Sequence, residues 1–380
     1  MSQAKAAIEH LLAPSGVKIG GSEPWDIKVD NPDFYRRVLK DASVGLGESF
    51  MAGWWSAPAL DQFFYKVLSA ELDKKAMRNW RFLLFYLSSW LFNQQKKGWK
   101  ADQVGKEHYD NGNDLYQAML GPTMAYTCGY WHAPDGRPLN NLDAAQEAKL
   151  DLVCRKLGLK PGQSVLDIGA GWGSFAKFAA VNYGAKVTAV NNSQEQFKLG
   201  QELCRGLSVE FRLQDYRDIE GEYDHIVSLG MFEHVGYKNY ETFMRLAAAH
   251  LKEGGLFLLH TIGGNRSVKV TDPWLNKYIF PNSMLPSIAQ IGAALEENFV
   301  MEDWHNFGHD YDLTLLAWFR NFDKSWPELK AANPKYDERF YRMWKYYLLS
   351  CAGAFRTRQI QLWQIVLSKR GVPEGYQSLR

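Results

Sequence analysis

The residues best placed for chemistry form one run: Val165-Leu166-Asp167-Ile168-Gly169-Ala170-Gly171-Trp172-Gly173. An apolar, strand-like stretch passes straight into three alternating glycines and then into helix-like sequence. Glycine lets the backbone turn sharply and approach a ligand without a Cβ clash, which is how nucleotide-binding crevices are built. Asp167, at the strand end, can accept hydrogen bonds inside such a crevice. An acid that binds ribose is ordinarily expected at the end of the next strand, about 20 residues on. That strand ends in Asn191-Asn192-Ser193, with no carboxylate, so Asn191, Ser193 or Gln196 would have to hold the ribose hydroxyls. After the third strand comes Gln214-Asp215-Tyr216-Arg217, on the loop that faces the adenine in this kind of fold. There Asp215 could accept from the adenine amino group and Gln214 could contact the ring. A polar loop with a turn-forming Asp fits the same residues.

These groups need elements to hold them. The pattern predicts strands at 163–168, 186–190, 209–213, 225–229 and 255–260, with helices at 173–183, 194–203 and 240–251 between them. Such βα alternation implies an α/β fold with a doubly wound parallel sheet. A long excursion follows the fifth strand, and 300–307 and 362–368 read as closing strands. A helix over 337–355 would align Phe340, Trp344, Tyr347, Cys351 and Phe355 on one face. Such a stripe suits a core or the wall of an apolar channel.

A basic stretch near 96–106 divides the chain into a smaller, mainly helical part, 1–100, and a catalytic part, 101–380. Turn signals mark the first part at Gly20-Gly21 and Asn31-Pro32, and a helix is predicted from about Asp61. A second helix over 74–97 carries an aromatic and aliphatic run flanked by Lys74, Lys75, Arg78, Arg81, Lys96, Lys97 and Lys100. Both a buried core helix and a helix pressed against anionic lipid satisfy that pattern.

The acid before the first glycine and the GxGxG spacing resemble the first motif of class I methyltransferases. That favours S-adenosylmethionine over a nicotinamide dinucleotide, whose usual turn is GxGxxG. Further segments narrow the resemblance: His108-Tyr109-Asp110, Tyr126-Thr127-Cys128, Met231-Phe232-Glu233-His234-Val235-Gly236 and Leu259-His260-Thr261-Ile262-Gly263. With Asp272-Pro273-Trp274, Tyr278-Ile279-Phe280-Pro281, 302–308 and 351–355, they resemble the cyclopropane-fatty-acyl-phospholipid synthases and the related mycolic acid cyclopropane synthases. The similarity covers most of the chain. Gly169-Ala170-Gly171 departs from the usual Gly-Cys-Gly, and Asn191 stands where threonine is common.

The resemblance implies a reaction. A cis alkene in a phospholipid acyl chain takes the methyl of S-adenosylmethionine, a cation forms, and loss of a proton from the former methyl closes a cyclopropane. It implies cofactor contacts at Tyr126, Thr127, Asp167, Gly169, Gly171 and Gly173. It implies a bound bicarbonate as the base, held by Cys128, Glu233, His260, Tyr311 and the Ile262 backbone. It also marks Cys351 as an active-site position, although the reaction needs no thiolate nucleophile. An alkene is a poor nucleophile, so the site must orient it and exclude water. Aromatic rings can steady the cation.

Composition argues against a nucleic-acid binder. Lys+Arg 44 against Asp+Glu 42 gives a net charge of +2, without the basic excess that nucleic acid calls for. The four cysteines Cys128, Cys154, Cys204 and Cys351 are scattered, which reads as a reduced, cytoplasmic protein without bound metal. The first residues lack a secretory signal, and no stretch approaches the ~20 apolar residues of a spanning helix. The resemblance implies unsaturated phospholipid and the inner membrane surface, met peripherally, as partners, and homodimerisation rests on it alone. Another lipid C-methyltransferase, or a lipid-binding protein with a vestigial cofactor fold, are the competing readings.

Overall fold

A computed structural model describes residues 3–72 and 112–380. The helix expected over 74–97, the boundary near 96–106, His108-Tyr109-Asp110 and the lysines at 96, 97 and 100 lie outside the described residues.

The catalytic part is built on a seven-stranded sheet. Its strands are β3 (Ser164–Ile168), β4 (Lys186–Asn191), β5 (Val209–Leu213), β6 (Tyr223–Leu229), β7 (Leu251–Gly264), β8 (Val300–Asn306) and β9 (Ile360–Ser368). A small antiparallel pair, β1 (Lys28–Val29) and β2 (Trp55–Ser56), lies in the N-terminal part. The large sheet runs in the order β5-β4-β3-β6-β7-β9-β8. Strands β3 to β7 pair in parallel, and β9 runs antiparallel between β7 and β8. From β3 the chain winds first one way and then the other, so a crevice opens at the carboxyl end of β3, where such folds bind ligands. The central strands are apolar because both faces are covered: Val165, Leu166, Ile226 and Val227 are fully buried.

The helices of the first half are α1 (Gln3–Leu12), α2 (Asp33–Met51), α3 (Leu60–Ser69), α4 (Asn113–Leu120) and α5 (Leu142–Lys156). Within and after the sheet come α6 (Ser174–Tyr183), α7 (Gln194–Leu203), α8 (Tyr240–His250), α9 (Pro273–Tyr278), α10 (Ile288–Leu295), α11 (His309–Ala332) and α12 (Glu338–Arg356). Local signals start several of them. Asn141 caps α5 through Ala144 N at 2.8 Å, and Asp337 caps α12 through Phe340 N at 2.7 Å.

The doubly wound α/β architecture is therefore as the alternation predicts. The sheet differs mainly at β7, expected over six residues and observed as Leu251–Gly264. Glycines near its ends admit close neighbours: a Cβ on Gly255 would fall 2.4 Å from Asp224 O, and one on Gly263 would fall 1.9 Å from the Trp363 ring.

One hydrophobic core runs from Ile8 through Trp55 and Phe63 to Trp318, Trp344 and Leu362. The N-terminal helices thus share packing with α11 and α12. Gly353 lets α3 approach α12 so closely that a Cβ there would lie 2.9 Å from Asp61 O. On the other side, α2 grips α9: Ser43 Oγ donates to Asp272 Oδ2 at 2.5 Å, and Glu48 accepts from Lys277 and Tyr278 at 2.6 and 2.7 Å.

Candidate active site

The crevice beyond β3 is lined by the glycine turn on one wall. Gly169 and Gly171 hold φ of +83° and +56°, a backbone region costly for other residues. Asn191, at the end of β4, fixes this turn. Its amide donates to Gly171 O at 2.9 Å and to Gln196 Oε1 at 3.0 Å, and its carbonyl accepts from Ser193 N at 2.9 Å. Asn191→Ala is expected to weaken S-adenosylhomocysteine binding by about tenfold, read by calorimetry, because the turn loses its brace and buried groups lose partners.

Of the residues expected at the cofactor, Tyr126, Thr127, Asp167, Gly169, Gly171, Asn191, Gln196, Gln214 and Asp215 all line this crevice. Gly173 and Ser193 do not. Gly173 sits behind the turn against the Phe211 ring, and the Ser193 hydroxyl caps α7. The two adenine-loop residues divide differently from expectation. Asp215 is occupied by its own loop, accepting from Arg217 N and Arg217 Nη1, both at 2.9 Å. Gln214 Nε2 is buried without a hydrogen-bond partner among the described residues, and so is Asp167 Oδ2. Two buried orphans of opposite hydrogen-bonding character in one crevice fit a polar ligand such as S-adenosylmethionine.

Burial pushes the Asp167 carboxyl up to about 7, against the opposing pull of Lys149. Lys149 and Trp172 also line the crevice and were not singled out by sequence reasoning. Trp172 lies inside the glycine run and packs on Tyr116 at 4.8 Å. Lys149 had little signal, since a lysine on a helix ordinarily reads as solvent-facing.

Across the crevice stands the loop after β6. Gly230, Met231 and His234 border the crevice, and Glu233 lies between them in a one-turn helix, Phe232–His234. Glu233 is buried, and its Oε1 accepts from Ile262 N at 2.6 Å. The Ile262 N–H is thus committed to Glu233, although the resemblance set that backbone against an anion. Glu233 Oε2 has no partner among the described residues, nor has Nε2 of the fully buried His260. His260 Nδ1 lies 3.4 Å from Gln364 Nε2. With that amide donating, the imidazole carries its proton on Nε2. Burial keeps this ring neutral, its pKa well below the usual histidine value, and raises Glu233 to about 7.

Tyr311, on α11, lies near Glu233 and Cys128. Its ring packs on Phe355 at 4.5 Å and on Trp318 at 5.9 Å. Burial first, then the nearby Cys128, Glu233, Tyr126 and Cys351, hold its phenol well above the usual range, so it remains a donor. These same residues place Tyr311, Cys128, Glu233 and Cys351 in one electrostatic neighbourhood. Cys128 is fully buried, donates to Gly129 O at 3.1 Å, and burial keeps its thiol protonated. Burial likewise pushes Cys351 up to about 12, so it offers no thiolate. The predicted aromatic face of α12 is real, and Tyr347 joins it to the crevice through Tyr126, hydroxyl to hydroxyl at 2.9 Å.

The reversing sheet and its acid-glycine turn define a class I fold, and this chain is an S-adenosylmethionine-dependent methyltransferase. A family model described as mycolic acid cyclopropane synthetase matches residues 95–365. The chain belongs to that family. It is 54% identical over 371 residues to the cyclopropane-fatty-acyl-phospholipid synthase of Escherichia coli K12, covering 98% of this chain and 94% of the relative. It is 38% identical to a probable fatty acid methyltransferase of Pseudomonas putida, over 69% of this chain and 68% of that one. Among solved structures, the cyclopropane synthase MmaA2 from Mycobacterium tuberculosis superposes with a TM-score of 0.64 at 28% identity, covering 71% of this chain and 98% of that one. Mycolic acid cyclopropane synthase CmaA1, complexed with SAH and CTAB, gives 0.64 at 30% identity, covering 72% and 100%.

Proposed function

We propose that the protein converts cis alkenes in phospholipid acyl chains to cyclopropanes, with a bound bicarbonate as the base. The observation that carries this reading is that Glu233 Oε2 and His260 Nε2 are both buried and unpartnered among the described residues, on segments joined by the bond from Ile262 N, two residues beyond His260, to Glu233 Oε1. An acceptor and a donor, each buried and unpaired, suit a small oxyanion that carries one proton. S-adenosylmethionine, when bound, supplies an electrophilic methyl on a sulfonium. Bicarbonate supplies a base that a carboxylate and a neutral imidazole can orient.

The protein's own groups do the rest. Asp167, Gln196 and Gln214 hold the cofactor's polar ends. Glu233, His260, Tyr311 and Cys128 hold the anion by hydrogen bonds, and Cys351 is a neutral part of the wall. Tyr311, Trp318, Phe355, Tyr126 and Tyr347 exclude water, which would trap the cation as an alcohol, and present ring faces to positive charge. The E. coli relative of 54% identity supports the phospholipid substrate.

Among the described residues no helix is long and apolar enough to cross a membrane. Peripheral docking on the cytoplasmic face, through the part before residue 100, supplies the acyl chain in this reading. The start of the family match at residue 95 supports that division from the catalytic part.

Incubation with unsaturated phospholipid vesicles and methyl-labelled cofactor, followed by acyl-chain mass spectrometry, tests the assignment. The expected product gains one CH₂ with no remaining alkene. A methyl-branched chain would indicate another lipid C-methyltransferase, and no label transfer would revive the binding protein.

A further inference from the structure

The proposed reaction makes no use of Lys149, a buried cation that the fold has placed in the cofactor crevice. Its side chain comes from the middle of α5 and is 1% exposed. Lysine is seldom buried without a partner, since removing an ammonium from water is costly. Lys149 Nζ donates to Thr127 Oγ1 at 2.7 Å. One turn earlier on the same face, Gln146 Nε2 donates to Thr127 O at 2.8 Å. Both ends of Thr127 are thus tied to α5. Thr127 and Lys149 line the crevice with Asp167, whose Oδ2 is buried without a partner among the described residues. A hydroxyl can anchor a segment without an ammonium, so the charge needs its own explanation.

We propose that Lys149 is a positioning residue for the cofactor: its ammonium fixes the Thr127 hydroxyl and supplies the counter-charge to Asp167, so that the two together read the zwitterionic amino-acid end of S-adenosylmethionine. That end carries an ammonium suited to Asp167 and a carboxylate suited to a wall held positive. The inference rests on this crevice being the cofactor site.

The surroundings isolate the pair. Cys128 and Cys204 lie within their field, and burial keeps both as thiols. His260 and His234 are held neutral by burial. Asp215 and Arg217 are paired with each other. Among the groups lining the crevice, the charge between pH 6 and 9 therefore changes through Asp167, raised to about 7, and Lys149, lowered by burial to about 8. Lys156, lowered by burial to about 7 and paired with Asp303 3.7 Å away, titrates in the same window beyond the lining and is common to every variant. Glu233 titrates in the same range on the substrate side, so a Glu233→Gln background removes its contribution.

In that background, S-adenosylhomocysteine affinity measured by calorimetry should rise as Asp167 ionises and fall as Lys149 loses its proton. Lys149→Met should weaken binding by roughly tenfold at pH 7.5. It should also abolish the alkaline fall and move the acid limb to higher pH, because Asp167 loses the charge that lowers its pKa. Lys149→Arg should restore the wild-type profile. If Lys149→Met fails to fold, Lys149→Gln keeps a donor for Thr127 without charge, and the same shift of the acid limb is expected. An unchanged pH profile in the neutral variants overturns the proposal and leaves a merely structural lysine. Absence of binding by the parent protein overturns the cofactor assignment itself, which is a separate result.

Discussion

Glu233→Gln should lower kcat for cyclopropane formation by roughly a thousandfold, while S-adenosylhomocysteine affinity stays within about threefold of wild type. Glutamine keeps the shape and can still accept from Ile262 N, so the loop after β6 should hold. What changes is the far atom. Oε2 is an acceptor without a partner among the described residues, and an amide nitrogen there can only donate. A protonated oxyanion that needs an acceptor at that point would lose its orientation, and a base turned away from the former methyl gives little product. The pH dependence has a definite sign. Burial raises Glu233 to about 7, so kcat at saturating cofactor should climb as pH rises through that value and flatten above it. The limb should vanish in Glu233→Gln. Initial rates on unsaturated vesicles from pH 6 to 9 give both readings, and a variant turning over at the wild-type rate would remove Glu233 from the chemistry.

Much of the cofactor crevice was legible because its parts are contiguous in sequence. A strand, an acid and spaced glycines within nine residues specify a turn whatever surrounds them. The segments after the second, third and fourth strands follow from the topology. What stayed hidden depends on packing between distant elements. Lys149 looks like an ordinary helix-surface lysine until α5 is laid against the glycine strand. The helix α11 carries Tyr311 but lies in the excursion after the fifth strand, where aromatic and charged residues alternate without a clean period. The N-terminal helix α2 was not predicted, in a part read from turn signals at Gly20-Gly21 and Asn31-Pro32. Gly47 is there because the Trp274 ring would lie 2.3 Å from any Cβ.

The assignment of roles inside the crevice shows a related limit. Asn191, Ser193 and Asp215 have side chains able to bind a ribose or a purine. Each is instead tied to backbone or to a neighbour within a few residues: Asn191 to the glycine turn, Ser193 to a helix cap, Asp215 to Arg217. Short polar side chains readily satisfy nearby backbone groups. Gln214 and Gln196 are longer and reach past the backbone into the crevice.

The coupling between the N-terminal part and the site predicts the second large effect. Arg356, at the end of α12, grips Asp312 of α11 with both arms, Nε to Oδ2 at 2.8 Å and Nη2 to Oδ1 at 2.9 Å, and reaches Asp61 of α3 at 2.8 Å. Asp312 is 4% exposed and adjoins Tyr311. Arg356→Met should therefore strand the buried Asp312 carboxylate and cost about 3 kcal/mol, lowering the melting midpoint by several degrees. Arg356→Lys should recover only part, since a single ammonium cannot serve a bidentate partner and a third oxygen together. The functional consequence follows from the neighbours. Releasing Asp312 frees the first turn of α11, and with it the Tyr311 ring that packs on Phe355. Lipid turnover should then fall more steeply than S-adenosylhomocysteine affinity, because the crevice walls at β3 and β4 do not involve this fork. Calorimetric melting alongside kcat and cofactor affinity separates the two effects, and equal losses of both would place the fork outside the substrate slot.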